Sequence, residues 1–381
     1  MRRTLYTEEH EAFRSAFRTF LEREAVPFAD VWEQAGAVDR AFVKKAGRQG
    51  FLGFEVPEAF GGIGVRDFRY NAVMAEEIVQ SGTAGDTFTL HNDIVAPYLL
   101  DLTTTEQKKR WLPGFAGGDL VTAIAMTEPG AGSDLAAIRT TARRDGDELV
   151  LDGTKTFITN GSSCDLVIVL ARTGERDGRG TSLIVVEYGT DGFTRGRPMR
   201  KIGRKAQDTA ELSFDGVRVP VGNVIGEPGR GLASCKANLP RERLSIAVLA
   251  VAAAERALDL ALRYTREREA FGAPLAHLQS VRMTLAELHT EVTVAHTYVD
   301  RCVAELNQDE LSAEEAAGAK YWTTDLQCSV IDRCLQLFGG YGYMEEYPIA
   351  RMWRDARVQR IYGGANEVMK DLVGRSLVAG E

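Results

Sequence analysis

The sequence predicts an α+β protein in three consecutive parts. These are an N-terminal helical domain over residues 1–119, a central antiparallel β-domain over 120–228 and a C-terminal helical bundle over 229–381. Three observations carry that reading. Apolar residues recur at helical spacing up to about residue 118. Between residues 120 and 219, short β-branched or alternating runs follow one another, punctuated by Gly, Asp and Pro, with no helical pattern among them. From Gly231 the helical period returns and holds to the end. The order α, β, α suggests a β-domain set between two helical halves that pack together.

The elements follow in order. Thr7 stands before Glu8, Glu9 and Glu11, a hydroxyl ahead of acidic residues that opens helices, and Phe13, Phe17, Phe20 and Leu21 follow at helical spacing. Residues 38–49 read as a second helix closed by Gly50, and 67–79 and 90–100 as two more. Thr105-Glu106-Gln107 opens another, closed by Gly117 and Gly118. Strand patterns occupy 120–126, 148–151, 166–171, 182–187, 210–214 and 217–219. In the last part, 244–266 is long and Ala-rich, suited to close helix packing, with Glu242 near its start. Residues 274–305, 312–338 and 366–378 give three further helices.

Composition narrows the function classes. A chain of 381 residues suggests two or three domains, and 44% hydrophobic with 26% charged residues argues against a mostly disordered chain. A net charge of −8 with no long Lys/Arg run argues against a dedicated nucleic-acid binder. The longest uncharged apolar stretch, 244–254, is too short to span a bilayer, so no membrane partner is expected. Five cysteines without a CxxC pair fit neither a disulfide framework nor a zinc site; a reducing, cytoplasmic setting is expected. No apolar run follows Arg2 and Arg3, so no signal peptide is expected in this sequence. The histidines lack zincin spacing, no metal site is expected, and there is no GxSxG elbow for serine-hydrolase chemistry.

Several motifs admit two readings on local sequence. The Gly-rich run from Thr127 to Asp134 is either an ordinary turn or a loop whose amides and hydroxyls hold a phosphate or a polar ring edge; its spacing fits neither a P-loop nor GxGxxG. Phe157-Ile158-Thr159-Asn160-Gly161 is either a hairpin or an aromatic ring and a hydroxyl beside a flat ligand. The charges from Arg266 to Glu269 suit a helix end, and arginine also suits pyrophosphate. One glycine in Gln336-Leu337-Phe338-Gly339-Gly340-Tyr341-Gly342 serves as a C-cap; the others suggest backbone packed against something flat or anionic. Glu242, between Arg241 and Arg243, is either an exposed carboxylate or, if buried against an apolar ligand, a general base with a raised pKa.

Taken together, MTEPGAGSD, FITNG, REAFG, QLFGGYGY and RDARVQRIYGGANE, in that order on an α–β–α chain of this length, resemble the acyl-CoA dehydrogenase family from about residue 7 to 378. The segments LPRERL, KYW, EYPIA and IYGGANEVMKDL look most like its long-chain members. The resemblance implies FAD held between the β-domain and the C-terminal helices of a homotetramer, or homodimer. It implies that Met126, Thr127, Gly132 and Ser133 contact flavin or substrate, and that Phe157, Ile158 and Thr159 line the flavin's other side. Arg268, Phe271 and Gln279 are expected to meet the FAD of a neighbouring subunit. Gln336, Gly339 and Gly340 are expected to approach the adenosine and pyrophosphate portion, with Ala365, Asn366 and Glu367 on the last FAD-contact segment.

Three departures from the family pattern are informative. Many members carry the catalytic Glu where Gly363 stands. The long-chain and isovaleryl branches carry it on the long C-terminal-domain helix, at the position matching Glu242. Ala365 replaces a common Thr, a lost hydroxyl worth about 0.5–1.5 kcal/mol. Phe157 replaces a common Trp and keeps the stacking surface.

The implied reaction is α,β-dehydrogenation of an acyl thioester. Glu242 takes the α-proton, hydride passes from the β-carbon to flavin N5, and electrons go on to an electron-transfer flavoprotein. An FAD ribityl hydroxyl and a backbone amide near Gly363 or Gly364 would hold the thioester carbonyl. Arg243 would hold the pantetheine or neighbouring backbone, and Ser133 the carrier arm. Gly85 to Asp93 is expected to line the acyl pocket, where Asp86, Thr87 and Asp93 hint at a shorter chain unless they point to solvent. Two alternatives stay open: a biosynthetic dehydrogenase acting on acyl-carrier-protein thioesters with unusual chain length or regiochemistry, and a flavin-dependent monooxygenase or oxidase on the same fold.

Overall fold

Helix α1 (Glu8–Glu24) begins where the hydroxyl and acidic residues place it, but the reach-back cap is a histidine: the Thr7 amide donates to His10 Nδ1 at 3.2 Å. The computed structural model describes residues 3–83, 86–174 and 180–379. Phe17, Phe20 and Leu21 of α1 bury into an aromatic cluster with Phe42, Phe51 and Phe88. A short helix, α2 (Ala29–Ala35), was not expected from the pattern. Helices α3 (Arg40–Arg48) and α4 (Phe68–Ser81) are each opened by an Asp that accepts a backbone N–H, Asp39 from Ala41 and Asp67 from Arg69.

The helix expected over 90–100 is interrupted. It consists of α5 (Asp86–Phe88), a π-helical run Thr89–Val95 and α6 (Ala96–Asp101). The wide turn is held by buried side chains. His91 donates from Nε2 to the Phe115 carbonyl at 2.9 Å, and burial pushes its pKa down to about 3, keeping it neutral. Asn92 accepts from the Gly53 amide and donates to the Phe51 carbonyl. Asp93 accepts from Asn71 and from Ser245. Helix α7 (Thr105–Ala116) closes the first part, with Thr104 rather than Thr105 as its cap.

The β-domain is one sheet of β1 (Thr122–Ala125), β2 (Thr141–Asp145), β3 (Glu148–Thr159), β4 (Leu166–Arg172), β5 (Thr181–Glu187), β6 (Phe193–Arg195), β7 (Thr209–Pro220) and β8 (Val224–Ile225). Its order is β6-β7-β3-β2-β4-β5-β8, with β1 beside β4. Pairing is antiparallel except where β1 and one residue of β2 run parallel to β4. The two runs expected over 210–219 are a single strand, β7. Strand β4 explains its unbroken apolar reading: Leu166, Ile168 and Leu170 face the N-terminal helices, while Val167, Val169 and Ala171 face the core of the sheet itself.

The third part opens earlier than its Ala-rich run suggests. Helix α8 (Gly231–Glu267) is 37 residues long, about 55 Å, and runs through Pro240. Gly231 is required at its start, because a Cβ there would collide with the Ser182 main chain of β5. A two-stranded hairpin of β9 (Glu269–Ala270) and β10 (Ala273–Pro274) precedes α9 (Gln279–Leu306). Helices α10 (Ala313–Leu337), α11 (Pro348–Ala356) and α12 (Asn366–Ala379) follow. Helix α8 packs against both α10 and α4, which joins the two helical halves. Among the described residues no helix is long and apolar enough to cross a membrane.

Candidate active site

Glu242 does not sit at a helix start. Because α8 begins at Gly231, it lies in the helix interior and is only 8% exposed. The flanking arginines turn away from it. Arg241 pairs with Glu55 and donates to the Asp93 carbonyl at 3.1 Å. Arg243 donates to the Gly363 carbonyl at 3.4 Å, so of its two expected roles the structure supports contact with neighbouring backbone. The Tyr98 hydroxyl of α6 donates to Glu242 Oε1 at 3.0 Å. Burial pushes the Glu242 pKa up to about 7, against the opposing effects of Tyr98 and Arg243.

Residues 361–366 form the turn that faces this helix. Gly363 and Gly364 both have positive φ, +66° and +95°. Their carbonyls are held from the two packed helices: Arg243 of α8 donates to Gly363, and Lys320 of α10 donates to Gly364 at 2.7 Å. Across each planar trans peptide the following N–H points the other way, so the amides of Gly364 and Ala365 face away from those cations. The space beside Gly363 is filled by Ile246, four residues beyond Glu242, whose Cδ1 would clash with a Cβ. Asn366 is fully engaged in protein bonds. Its Oδ1 accepts from Lys320, and its Nδ2 donates to the Tyr321 carbonyl and to Asp325.

The Gly-rich loop after β1 is built on a buried ion pair. Lys155 of β3 is completely buried, and its Nζ donates to Glu128 Oε1 at 2.8 Å and to the Met126 carbonyl at 3.0 Å. Glu128 also accepts from the Thr140 amide, and the Thr156 amide donates to the Thr127 carbonyl. The loop is thereby tied to β3, and Gly132 and Ser133 remain exposed. A Cβ on Gly130 or Gly132 would meet nothing within 4 Å, so both glycines border open space. Two residues after Lys155 the register of β3 against β7 shifts, and Phe157 takes a positive φ of 58°. That twist leaves Phe157 67% exposed while Ile158 is buried in the sheet core; Thr159 is half-buried. The Ile158 side chain is thus turned into the core, and its carbonyl accepts from the Gly161 amide at 3.0 Å.

The expected cofactor residues of the 268–279 and 336–340 segments gather at the far end of α8. Arg268 lies 5.9 Å from the Tyr341 ring centroid, and Tyr264 stacks on Phe338, which brings the 336–342 segment beside the β9–β10 hairpin. Phe271 at the hairpin tip has a positive φ and is 95% exposed. Gln279, Gln336, Gly339, Gly340 and Glu367 are exposed too, and a Cβ on either glycine would meet nothing. Ala365 is half-buried in the turn.

Thr87 and Asp93 lend the acyl-length hint no support, and the side chain of Asp86 lies outside the described residues. Asp93 is buried and both its oxygens are engaged, by Asn71 and Ser245. Thr87 is buried beside Val38, Val43 and Val121, between the first helices and the β-domain. Gly85 lies outside the described residues. Neither Thr87 nor Asp93 points to solvent. Sequence reasoning missed Tyr98, Ile246, Lys320 and the Glu128–Lys155 pair. Lys320 lay within a quoted motif without a role, and the Tyr98–Glu242 contact spans 144 residues of sequence.

Three consecutive family models match this chain: the acyl-CoA dehydrogenase N-terminal domain at residues 7–119, the middle domain at 123–217 and the C-terminal domain at 229–378. The matches define an oxidoreductase, and the chain belongs to the acyl-CoA dehydrogenase family. It is 46% identical over 380 residues to the long-chain specific acyl-CoA dehydrogenase of Rattus norvegicus mitochondria, covering 99% of this chain and 88% of that one. The crystal structure of an acyl-CoA dehydrogenase from Geobacillus kaustophilus superposes with a TM-score of 0.96 at 47% identity, over 98% of each chain. An acyl-CoA dehydrogenase from Bacillus anthracis, complexed with FAD, superposes with a TM-score of 0.91 at 31% identity, over 98% of this chain and 67% of that one.

Proposed function

We propose that this chain oxidises a saturated acyl-CoA to its 2-enoyl thioester with Glu242 as the base. One observation carries the assignment: the carboxylate that residue 363 lacks is supplied from the facing helix by a buried Glu242 that forms no ion pair among the described residues. A base poised near neutrality removes a proton most effectively at working pH. The amides of Gly364 and Ala365, turned away from Arg243 and Lys320, are available to the thioester carbonyl as negative charge develops on it.

FAD fits the residues present. Open space at Gly130, Gly132, Gly339 and Gly340 admits close approach to backbone, and the exposed Phe157 offers a ring that stacks on no other among the described residues. When bound it supplies the hydride acceptor. Met126, Thr127, Gly132, Ser133, Phe157 and Thr159 would hold the flavin and the carrier arm, and Gln336, Gly339 and Gly340 the adenosine side. The nearly complete exposure of Phe271 supports Arg268, Phe271 and Gln279 serving a neighbouring subunit, and hence a homotetramer or homodimer. An electron-transfer flavoprotein as acceptor and a cytoplasmic setting complete the reading.

Anaerobic titration of the yellow protein with saturated acyl-CoAs of graded length tests it. Bleaching of the flavin by one chain length, abolished in Glu242→Gln, is expected. FAD-loaded protein unbleached by any acyl-CoA would move the assignment to acyl-carrier-protein thioesters or to the oxygen-using alternative.

A further inference from the structure

We propose that Tyr98 is the positioning residue of the base, fixing which Glu242 oxygen receives the substrate proton and setting the pH at which it can do so. This rests on the reading of Glu242 as base. Tyr98 is completely buried, and its hydroxyl is the one hydrogen-bond partner of Glu242 among the described residues. With Oε1 occupied, Oε2 is left to take the α-proton. The phenol proton stays on Tyr98 throughout: a C–H bond breaks, an O–H bond forms on Oε2, and Tyr98 goes on donating to Oε1.

The phenol stands on a rigid mount. The π-helical run immediately before α6 is pinned by His91 to the Phe115 carbonyl, by Asn92 to Phe51 and Gly53, and by Asp93 to Asn71. Such runs are frequent at functional sites. Asp93 also accepts from Ser245, three residues beyond Glu242 on α8. The pairs 98–242 and 93–245 therefore tie α8 both to α6 and to the π-helical run that leads into it, which fixes the rotation of α8 and the rotamer of its glutamate. A side chain aimed by buried partners in this way is placed more exactly than one resting on a loop.

The groups acting on the carboxyl are few. Tyr98 faces it from α6, Arg243 adjoins it on α8, and Cys235 lies along the same helix, with Lys155 of β3 acting on that thiol. Among the described residues the only direct donor is the phenol. A donor to the charged form favours ionisation. Without it, the same burial leaves the carboxyl protonated to higher pH.

The test compares wild-type, Tyr98→Phe and Glu242→Gln holoenzymes by the pH dependence of kcat/KM with a saturated acyl-CoA. In Tyr98→Phe the acidic limb should move up by about one pH unit and the rate at neutral pH should fall about tenfold, with FAD content and KM preserved. An unmoved limb, whatever the melting temperature, overturns the proposal and leaves Tyr98 as packing. Full activity in Glu242→Gln would instead remove the base assignment itself, so the two failures are distinguishable. If the Phe variant does not fold, 3-fluorotyrosine at position 98 keeps the volume and strengthens the donor; the limb should then move down, and an unmoved limb overturns the proposal.

Discussion

Lys320 crosses from α10 to donate to the Gly364 carbonyl at 2.7 Å and to Asn366 Oδ1 at 2.9 Å, with its side chain fully buried and no carboxylate in contact among the described residues. A buried ammonium held by neutral acceptors titrates low: burial, then the nearby Arg243, brings it down to about 8. A base whose folded pKa lies below its unfolded value binds fewer protons than the unfolded chain between the two. Its contribution to stability therefore rises with pH from about 8 to the ordinary 10.5. Melting temperatures from pH 8 to 10 should show that rise, and Lys320→Met should flatten it. The same substitution leaves the Gly364 carbonyl unpaired and should cost about 1–3 kcal/mol, with kcat reduced because the turn is no longer held from behind.

Glu242 predicts the opposite slope. Its folded pKa of about 7 exceeds the ordinary 4.5, so the folded chain binds more protons across that window. Stability should fall as pH rises from about 4.5 to 7, and the Gln variant should lack that fall. Activity runs the other way: kcat/KM should decline below pH 7, and Glu242→Gln should lose about 10²–10⁴-fold. Chemical denaturation and steady-state kinetics on the same samples check both signs.

The Glu128–Lys155 pair supports the Gly-rich loop from beneath. Lys155→Met strands a buried carboxylate and should cost about 3–5 kcal/mol. Because that loop is expected to hold the flavin, the purified variant should also retain less FAD per chain, read from its absorbance ratio. Normal FAD content at reduced stability would confine the pair to folding.

Phe271 touches almost nothing in its own chain. Phe271→Ala should leave the stability of an isolated chain within about 0.5 kcal/mol. It should lower FAD retention and weaken assembly, measured by sedimentation at graded protein concentration. An unchanged sedimentation profile and full FAD would remove the residue from the intersubunit site.

The α–β–α order, most helices and the motif positions were legible because periodicity and turn residues are local signals. Thr7, Asp39, Asp67 and Ser312 stand beside helix starts, where the physics of capping puts them. What was hidden depended on partners far away in the chain. The π-helical run reads as ordinary helix because its widening is held by Phe51, Gly53, Asn71, Phe115 and Ser245. Asp93 looked like a message about substrate because nothing local tells that Asn71 and Ser245 will surround it. Glu242 was visible as a candidate, whereas its burial depends on α8 starting at Gly231, beyond the Ala-rich run that marked the helix.

The packing of Ile246 against Gly363 bears on how this site can change. Any side chain at 363 meets Ile246, and the positive φ there disfavours every residue but glycine. Trimming Ile246 alone opens a void beside the base and brings no carboxylate. A residue placed at 363 obliges the Ile246 δ-methyl to swing aside and must itself hold a positive φ. The location of the proton acceptor is thus anchored in the main chain, so moving it to 363 asks for a change of backbone conformation as well as of residue.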